Sequence, residues 1–367
     1  MVVQEASPTL AITHAAIRER LRGIRCSSKC NLLALPRKVA GGAGCPHPAH
    51  GAVAALPYPN RQAESSPQEE AVAERVGFIG LGAMGTPMAW NVHGGGYELG
   101  VFNRTPAKTR PFADEGVTVF STPAILTAES DVVVIMVTSS EALDTVLYGD
   151  AGVLAGLGRG KAVVNMGTVS PEATREAAEA VHAMGGRFID APVSGTVKPA
   201  EEGNLVVLAG GLAEDVERVR PVLEAMGKAV VPCGDIPQGT HMKLVLNLML
   251  GNLMQSLAEG LNLGRALELD PDQMLEAIDG GPLGAPLFRM KGGNILAGNF
   301  AKQFPVDLLA KDLDLVTGAA GKAAVPLPQT AATRETVSAA RALGHGDEDM
   351  AALIRVLERL TGSEVRS

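Results

Sequence analysis

From residue 75 onward the chain alternates short apolar runs with longer amphipathic stretches. Val76-Gly77-Phe78-Ile79 reads as a short buried strand. It leads through Gly80-Leu81-Gly82-Ala83-Met84-Gly85 into a helical run ending near His93. Glu98-Leu99-Gly100-Val101-Phe102 reads as a second strand, closing on Asn103-Arg104-Thr105. Apolar runs at 132–137, 162–166, 187–189 and 205–209 then alternate with helical stretches such as 171–184 and 212–226. Such alternation predicts an α/β fold with a parallel sheet covered on both faces. After Asp235 the β pattern stops. A long apolar helix is expected over 239–267, with further helices at 271–279, 306–320, 328–343 and 347–361. The chain therefore divides into an extension (1–73), an α/β nucleotide-binding domain (74–236) and a C-terminal all-α domain (237–362) joined by the long helix.

Charge sharpens the first of these boundaries. Residues 1–62 carry eight Lys/Arg against Glu5 and Glu19, a net of +6, so the rest of the chain carries −14 of the formal total of −8. The extension reads as disordered or as a leader, because transit peptides are Arg-rich and acid-poor. A translation start near Val72 is a second reading. Metal binding by Cys26, Cys30, Cys45, His47 and His50 is a third, and its spacing is irregular for a structural zinc site. Cys233 is the single cysteine beyond residue 45, which fits a reducing compartment. The expected location is cytoplasmic, or organellar if the extension is a transit peptide. Twelve aromatics and a net negative charge argue against nucleic acid as a partner. No apolar run approaches ~18 residues, which argues against a membrane span.

With 43 glycines in 367 residues, G-x-G-x-x-G arises by chance about 0.6 times, so the bare pattern decides nothing. Its setting is what counts: a strand before it, a helix after it, and a βαβ unit of the right size. In a Rossmann-type site Gly80 would allow the tight turn, Gly82 the approach of a pyrophosphate, and Gly85 close helix–strand packing. The helix start offers free N–H groups and a positive dipole end to phosphates. An NAD site commonly places an acid about 20 residues on, where this chain has Asn103-Arg104-Thr105. Arg104 can pair with a 2′-phosphate, which favours NADP(H) over NAD(H). The plainer alternative is a surface arginine in a turn.

Between Asp235 and Glu259 the one formally charged residue is Lys243. A buried, unpaired ammonium is costly, so such a lysine is paired, shifted in pKa, or functional. Asn247 falls one turn later on the same face, and Gly239 one turn earlier leaves space for a ligand or for close backbone. A positioned ammonium can stabilise the charge that develops on a carbonyl oxygen during hydride transfer and donate its proton. The competing reading is a lysine snorkelling at a helix edge.

Five motifs occur in order: Gly80 to Gly85, Asn103-Arg104-Thr105, Asp190-Ala191-Pro192-Val193-Ser194-Gly195, Gly239-x3-Lys243-x3-Asn247 and Lys311-Asp312-Leu313. Over residues 75 to about 362 the chain resembles the β-hydroxyacid dehydrogenase family. The resemblance implies a Rossmann domain followed by an all-α substrate and dimerisation domain, in homodimers or homotetramers. It assigns Lys243 as general acid/base. It gives Ser194, Gly195 and Thr196 to the substrate carboxylate and Asn247 to substrate orientation. Val137, Thr168 and Lys311 join Gly80, Leu81, Gly82, Ala83, Met84, Gly85, Asn103, Arg104 and Thr105 around the cofactor; no metal is implied. Segments 195–203 and 286–292, with Phe304-Pro305, look nearest the glyoxylate/succinic semialdehyde reductase branch. Met136-Val137-Thr138 and Asn165-Met166-Gly167 depart from the common family pattern and leave substrate size open.

The expected activity is therefore an NADP(H)-dependent interconversion of a small aldehyde acid or 2-oxoacid with its hydroxyacid. Glyoxylate, succinic semialdehyde and methylmalonate semialdehyde are the candidate substrates. A 3-hydroxyisobutyrate dehydrogenase proper, an imine reductase and a non-catalytic dehydrogenase-like scaffold are the alternatives. The retained Lys243 counts against the last two.

Overall fold

A computed structural model describes residues 74–366, so the leader and the cysteine–histidine metal reading lie outside the described residues. The strands are β1 (Arg75–Ile79), β2 (Glu98–Phe102), β3 (Thr118–Val119), β4 (Val132–Ile135), β5 (Ala162–Asn165), β6 (Arg187–Asp190), β7 (Val193–Ser194), β8 (Leu205–Gly210) and β9 (Gly227–Gly234). Strands β3-β2-β1-β4-β5-β6 lie side by side, and each adjacent pair is parallel. The apolar runs are continuous because both faces are covered. Val76, Phe78, Val132 and Val134 enter one core, while Ile79, Val133 and Ile135 enter the core on the opposite face.

Beyond β6 the sheet departs from the wholly parallel expectation. β8 runs antiparallel to β6 at the single pair Asp190↔Gly210, β7 runs antiparallel to β8, and β9 runs parallel to β8. The chain here returns through β7 and the short helix Val197–Glu201 instead of a full helical crossover. The eight-residue β9 has no counterpart in the hydrophobic pattern, since Pro232 and its half-exposed residues mark an edge strand.

The helical half is organised on the helix Gln238–Ala266, whose 29 residues span about 44 Å. Its Met254, Leu257 and Leu261 share a core with Leu309 and Leu313 of the helix Val306–Lys322 and Ile354 of the helix Leu353–Thr361. The last helix starts later than the expected 347, after a 3-10 turn at Met350–Ala352 that the Asp349 side chain caps through Ala351 N–H. A helix at Pro286–Leu296 lacks a counterpart in the pattern-based assignment, its apolar periodicity being interrupted by Gly292-Gly293. Among the described residues no helix is long and apolar enough to cross a membrane.

The long helix begins hard against the sheet. An added Cβ on Gly239 would lie 2.3 Å from the Asp190 carbonyl oxygen and 2.4 Å from that of Leu208. Asp190, at the end of β6, accepts hydrogen bonds from Thr240 N–H and Thr240 Oγ1, both at 2.7 Å. A carboxylate distant in sequence therefore serves the free N–H groups of this helix start. Gly239→Ala must push the helix off the sheet, and overpacking of this kind costs about 1–3 kcal/mol. A melting temperature lowered by several degrees is expected; an unchanged value would show that the junction is loose.

Candidate active site

Where the C-terminal ends of the strands face the helical half lies a cleft lined by Gly82, Ala83, Met84 and Gly85 from the phosphate loop and by Val137, Thr168, Gly195 and Thr196 from later loops. Lys243, Lys311, Asp312 and the segment Lys302-Gln303-Phe304-Pro305 complete its opposite wall. Three motifs far apart in the chain thus meet around one opening.

Gly80 adopts φ +101°, and a Cβ there would strike the Met136 carbonyl oxygen at 2.2 Å. A Cβ on Gly85 would strike the Gly80 carbonyl oxygen at 1.9 Å. Above Gly82, by contrast, an added Cβ would meet nothing within 4 Å among the described residues. The space open over Gly82, on the cleft wall, fits the approach of a bound pyrophosphate. Asn103 Oδ1 accepts from Leu81 N–H at 2.9 Å, and Asn103 Nδ2 donates to the Thr105 carbonyl at 3.0 Å. Asn103 therefore ties the end of β2 to the loop and leaves Arg104 exposed beside it. Leu81 itself points into the core. Leu81, Gly80, Asn103, Arg104 and Thr105 are not on the cleft wall.

After β5, Asn165 Oδ1 accepts from Gly167 N–H at 3.2 Å, shaping the turn that presents Thr168. Lys311 Nζ reaches across from the helical half and donates to the Thr168 carbonyl at 2.7 Å. After β7, Gly195 holds φ +144°, with an added Cβ only 2.6 Å from Leu205 Cδ2, while neighbouring Ser194 sits off the lining.

Lys243 is 8% exposed, and among the described residues its ammonium has no hydrogen bond or ion pair. Burial holds its pKa below the ordinary lysine value; the Asp312 carboxylate opposes this shift and the Lys311 cation adds to it. Asn247 lies one turn on, 1% exposed, and donates from Nδ2 to Asp312 Oδ2 at 2.7 Å. Its amide is thus committed to Asp312, and Asn247 does not line the cleft. The other Asp312 oxygen, Oδ1, is 2.8 Å from Lys311 Nζ, an ion pair outside hydrogen-bond geometry, so this buried acceptor stays unfilled. Asp312 belongs to a motif noted in the sequence, yet its part in the site comes from packing: it is the carboxylate that both Asn247 and Lys243 face.

Asp190 was likewise only a letter in a motif. Its carboxyl is pushed up to about 6 by burial, against the lowering effect of the Thr240 hydrogen bonds. The signal available in sequence was an acid terminating an apolar strand, Phe188-Ile189-Asp190.

Residues 75–234 match the family model described as the NAD binding domain of 6-phosphogluconate dehydrogenase, and residues 237–357 match that of the NAD-binding domain of NADP-dependent 3-hydroxyisobutyrate dehydrogenase. The chain is 33% identical over 299 residues to glyoxylate/succinic semialdehyde reductase 2, chloroplastic, of Arabidopsis thaliana, covering 82% of this chain and 84% of that protein. It is 37% identical over 294 residues to 2-(hydroxymethyl)glutarate dehydrogenase of Eubacterium barkeri, covering 79% and 97%. The solved 3-hydroxyisobutyrate dehydrogenase of Mycobacterium tuberculosis, with L-serine, aligns with a TM-score of 0.72 at 28% identity, covering 78% of this chain and 99% of that one. The fold and cleft are those of an NAD(P)-binding oxidoreductase acting on CH–OH groups. The chain belongs to the β-hydroxyacid dehydrogenase family.

Because Asp190 titrates near 6 when folded and near 3.8 in the unfolded chain, its favourable contribution is complete below pH 4 and lost as pH rises through 6. The difference corresponds to about 3 kcal/mol at neutral pH. Asp190→Asn is therefore expected to gain stability relative to the parent between pH 4 and 7. Melting temperatures of the two proteins across that range test this, and a constant offset would contradict it.

Proposed function

We propose that the protein is an NADP(H)-dependent reductase of small aldehyde acids or 2-oxoacids, working reversibly on the corresponding hydroxyacids, with Lys243 as general acid/base. The observation that carries this reading is the buried Lys243 ammonium, unpaired in the cleft and held below its ordinary pKa. Residues 74–236 hold the cofactor, and 237–362 supply the proton donor and the oligomer contact. Glyoxylate, succinic semialdehyde and methylmalonate semialdehyde, each with one carboxylate, are candidate substrates for the reacting end of the site. The named activities of the relatives, on mono- and dicarboxylic compounds, agree with a carboxylate substrate.

Gly80 to Gly85 would hold the pyrophosphate at the helix start, with Arg104 on the 2′-phosphate and Val137, Thr168 and Lys311 beside the nicotinamide. When bound, the reduced nicotinamide supplies a hydride to the substrate's carbonyl carbon. Ser194, Gly195 and Thr196 hold the carboxylate, aiming the carbonyl at Lys243. The Lys243 ammonium stabilises negative charge on the carbonyl oxygen and gives it a proton, leaving a neutral amine that solvent reprotonates. In oxidation the neutral amine accepts the hydroxyl proton. A lowered pKa serves both directions, since burial brings the neutral amine closer in energy to the ammonium. Asp312 keeps the shift from running further by stabilising the charged form, and it holds Asn247 in place. The retained, desolvated Lys243 counts against a non-catalytic scaffold and against an imine reductase.

Exposed Met242, Val245, Met249 and Leu253 recur at three- and four-residue spacing along the long helix. A second copy of the chain is the proposed cover for this stripe, consistent with a homodimer or homotetramer.

Lys243→Met should lower turnover about 10²–10⁴-fold. Its melting temperature should be no lower than the parent's, since a methionine carries no charge to bury. In the parent, kcat for reduction should fall with rising pH and kcat for oxidation should fall with declining pH, both around one pKa below that of ordinary lysine. Turnover of the methionine variant near the parent's would remove the proton-transfer role. Arg104→Ala should weaken NADPH binding about tenfold or more while changing NADH binding little. Fluorescence titration of both cofactors checks this, and equal losses would contradict the 2′-phosphate assignment.

A further inference from the structure

The cleft wall formed by residues 302–305 rests on a charge pair unlike any other among the described residues. Lys291 and Asp349 are both 0% exposed, and Lys291 Nζ donates to both Asp349 oxygens at 2.8 Å. Asp349 also accepts from Phe304 N–H at 3.0 Å and from Ala351 N–H at 3.1 Å. The backbone is stitched alongside, with Asp349 N–H to the Phe300 carbonyl at 3.1 Å and Met350 N–H to the Phe304 carbonyl at 2.9 Å. A fully buried pair is costly to break and gives the wall one fixed position.

The third hydrogen bond from Lys291 sets the chemistry of the cleft. Its Nζ donates to Gln303 Oε1 at 3.2 Å. An ammonium has donors only, so it fixes which end of the Gln303 amide it meets. The carbonyl oxygen turns inward to Lys291, and the NH2 group is left for the other side. Gln303 lines the cleft, and among the described residues its NH2 has no hydrogen bond. The preceding residue, Lys302, also lines the cleft. Its ammonium pairs with Asp347, whose side chain is 85% exposed, so this pair is easily exchanged for another anion. Phe304, Pro305 and Leu308 on the same wall are apolar. Charge points the same way: three lysines (243, 302 and 311) face one acid, Asp312, which is already shared between Asn247 and Lys311.

We propose that Gln303 and Lys302 recognise a second carboxylate at the far end of the substrate, so that the enzyme selects dicarboxylic hydroxyacids and their aldehydes over monocarboxylic ones with the same reacting end. This rests on the reading above, in which Ser194 to Thr196 hold the carboxylate next to the reacting carbon. Gln303 supplies an oriented N–H donor and Lys302 a cation, while the apolar wall takes the methylene chain. No covalent step is added to the reaction.

The test compares oxidation of 2-(hydroxymethyl)glutarate with that of 3-hydroxyisobutyrate, using NADP+ and the full chain. The two share the CH(COO−)–CH2OH unit, and only the first carries a distal carboxylate. The parent is expected to favour the diacid at least tenfold in kcat/KM. Lys302→Gln, on the exposed rim, and Gln303→Glu, which keeps an oxygen for Lys291 but removes the N–H donor, should each lower that ratio at least fivefold through KM. A parent that prefers the monoacid, or variants that lose both substrates in equal proportion, would overturn the proposal and leave Gln303 as an anchor for Lys291. Such a result would leave the aldehyde-acid reductase reading intact. A parent that oxidises neither compound and reduces no short aldehyde acid would overturn that reading along with the proposal.

Discussion

Everything at the cleft depends on how the long helix is docked at its first turn. Two 2.7 Å hydrogen bonds from Thr240 to the Asp190 carboxylate fix the helix start to the end of β6. Thr174, on the helix Pro171–Ala183, backs the contact through a 3.0 Å hydroxyl–hydroxyl hydrogen bond to Thr240. Gly239 and Gly210 let backbone meet backbone there, since added Cβ atoms would lie within 2.3 Å of the Asp190 carbonyl and 2.8 Å of the Gly239 nitrogen, respectively. Lys243 comes three residues after Thr240, so its position relative to the phosphate loop is inherited from this junction. The antiparallel turn of the sheet after β6 serves the same end. It sets Gly210 beside Asp190 and opens the seat for the helix.

A second tie closes the other side of the opening. Lys311 extends from the helix Val306–Lys322 to the Thr168 carbonyl, on the loop after β5. Lys243, the proposed proton donor, therefore lies on one crossing between the two halves, and the proposed cofactor-side lysine lies on another. A cleft bounded by two such ties keeps its width, and preorganisation of this kind is what the proposed hydride transfer between two bound molecules requires.

The sheet was readable in sequence wherever burial on both faces made the apolar run continuous, as in Val132–Ile135 and Ala162–Asn165. The two-residue β7 and the half-exposed β9 were not, because neither carries a hydrophobic period of its own and each exists through pairing with β8. Lys243 stood out because a lone charge in an apolar helix conflicts with burial. Asp190, Asp312 and Gln303 did not stand out, because an acid ending a strand or a glutamine in a loop is ordinary until its partners are known. Those partners lie 50, 65 and 12 residues away in the chain. The glycine pattern stands between these cases. Its three positions were visible, but only geometry separates Gly80 and Gly85, which the chain's own backbone requires, from Gly82, which meets no steric demand among the described residues.

Buried charge is distributed unevenly, and the unevenness follows the chemistry. Behind the cleft wall, Lys291 and Asp349 neutralise each other with short, multiple hydrogen bonds, and the result is a fixed wall. Along the line from β6 through Lys243 to Asp312, pairing is less complete: only Asp312 has a counterion in contact, Lys311. Asp190 has only neutral donors, Lys243 has only a through-space carboxylate, and Asp312 keeps one oxygen unfilled. Each of these incomplete pairings costs stability, and apolar residues of similar size would avoid that cost. An ammonium without a counterion in contact is, however, what the proposed proton-transfer role of Lys243 needs, since a fully satisfied pair would have no reason to exchange a proton with substrate.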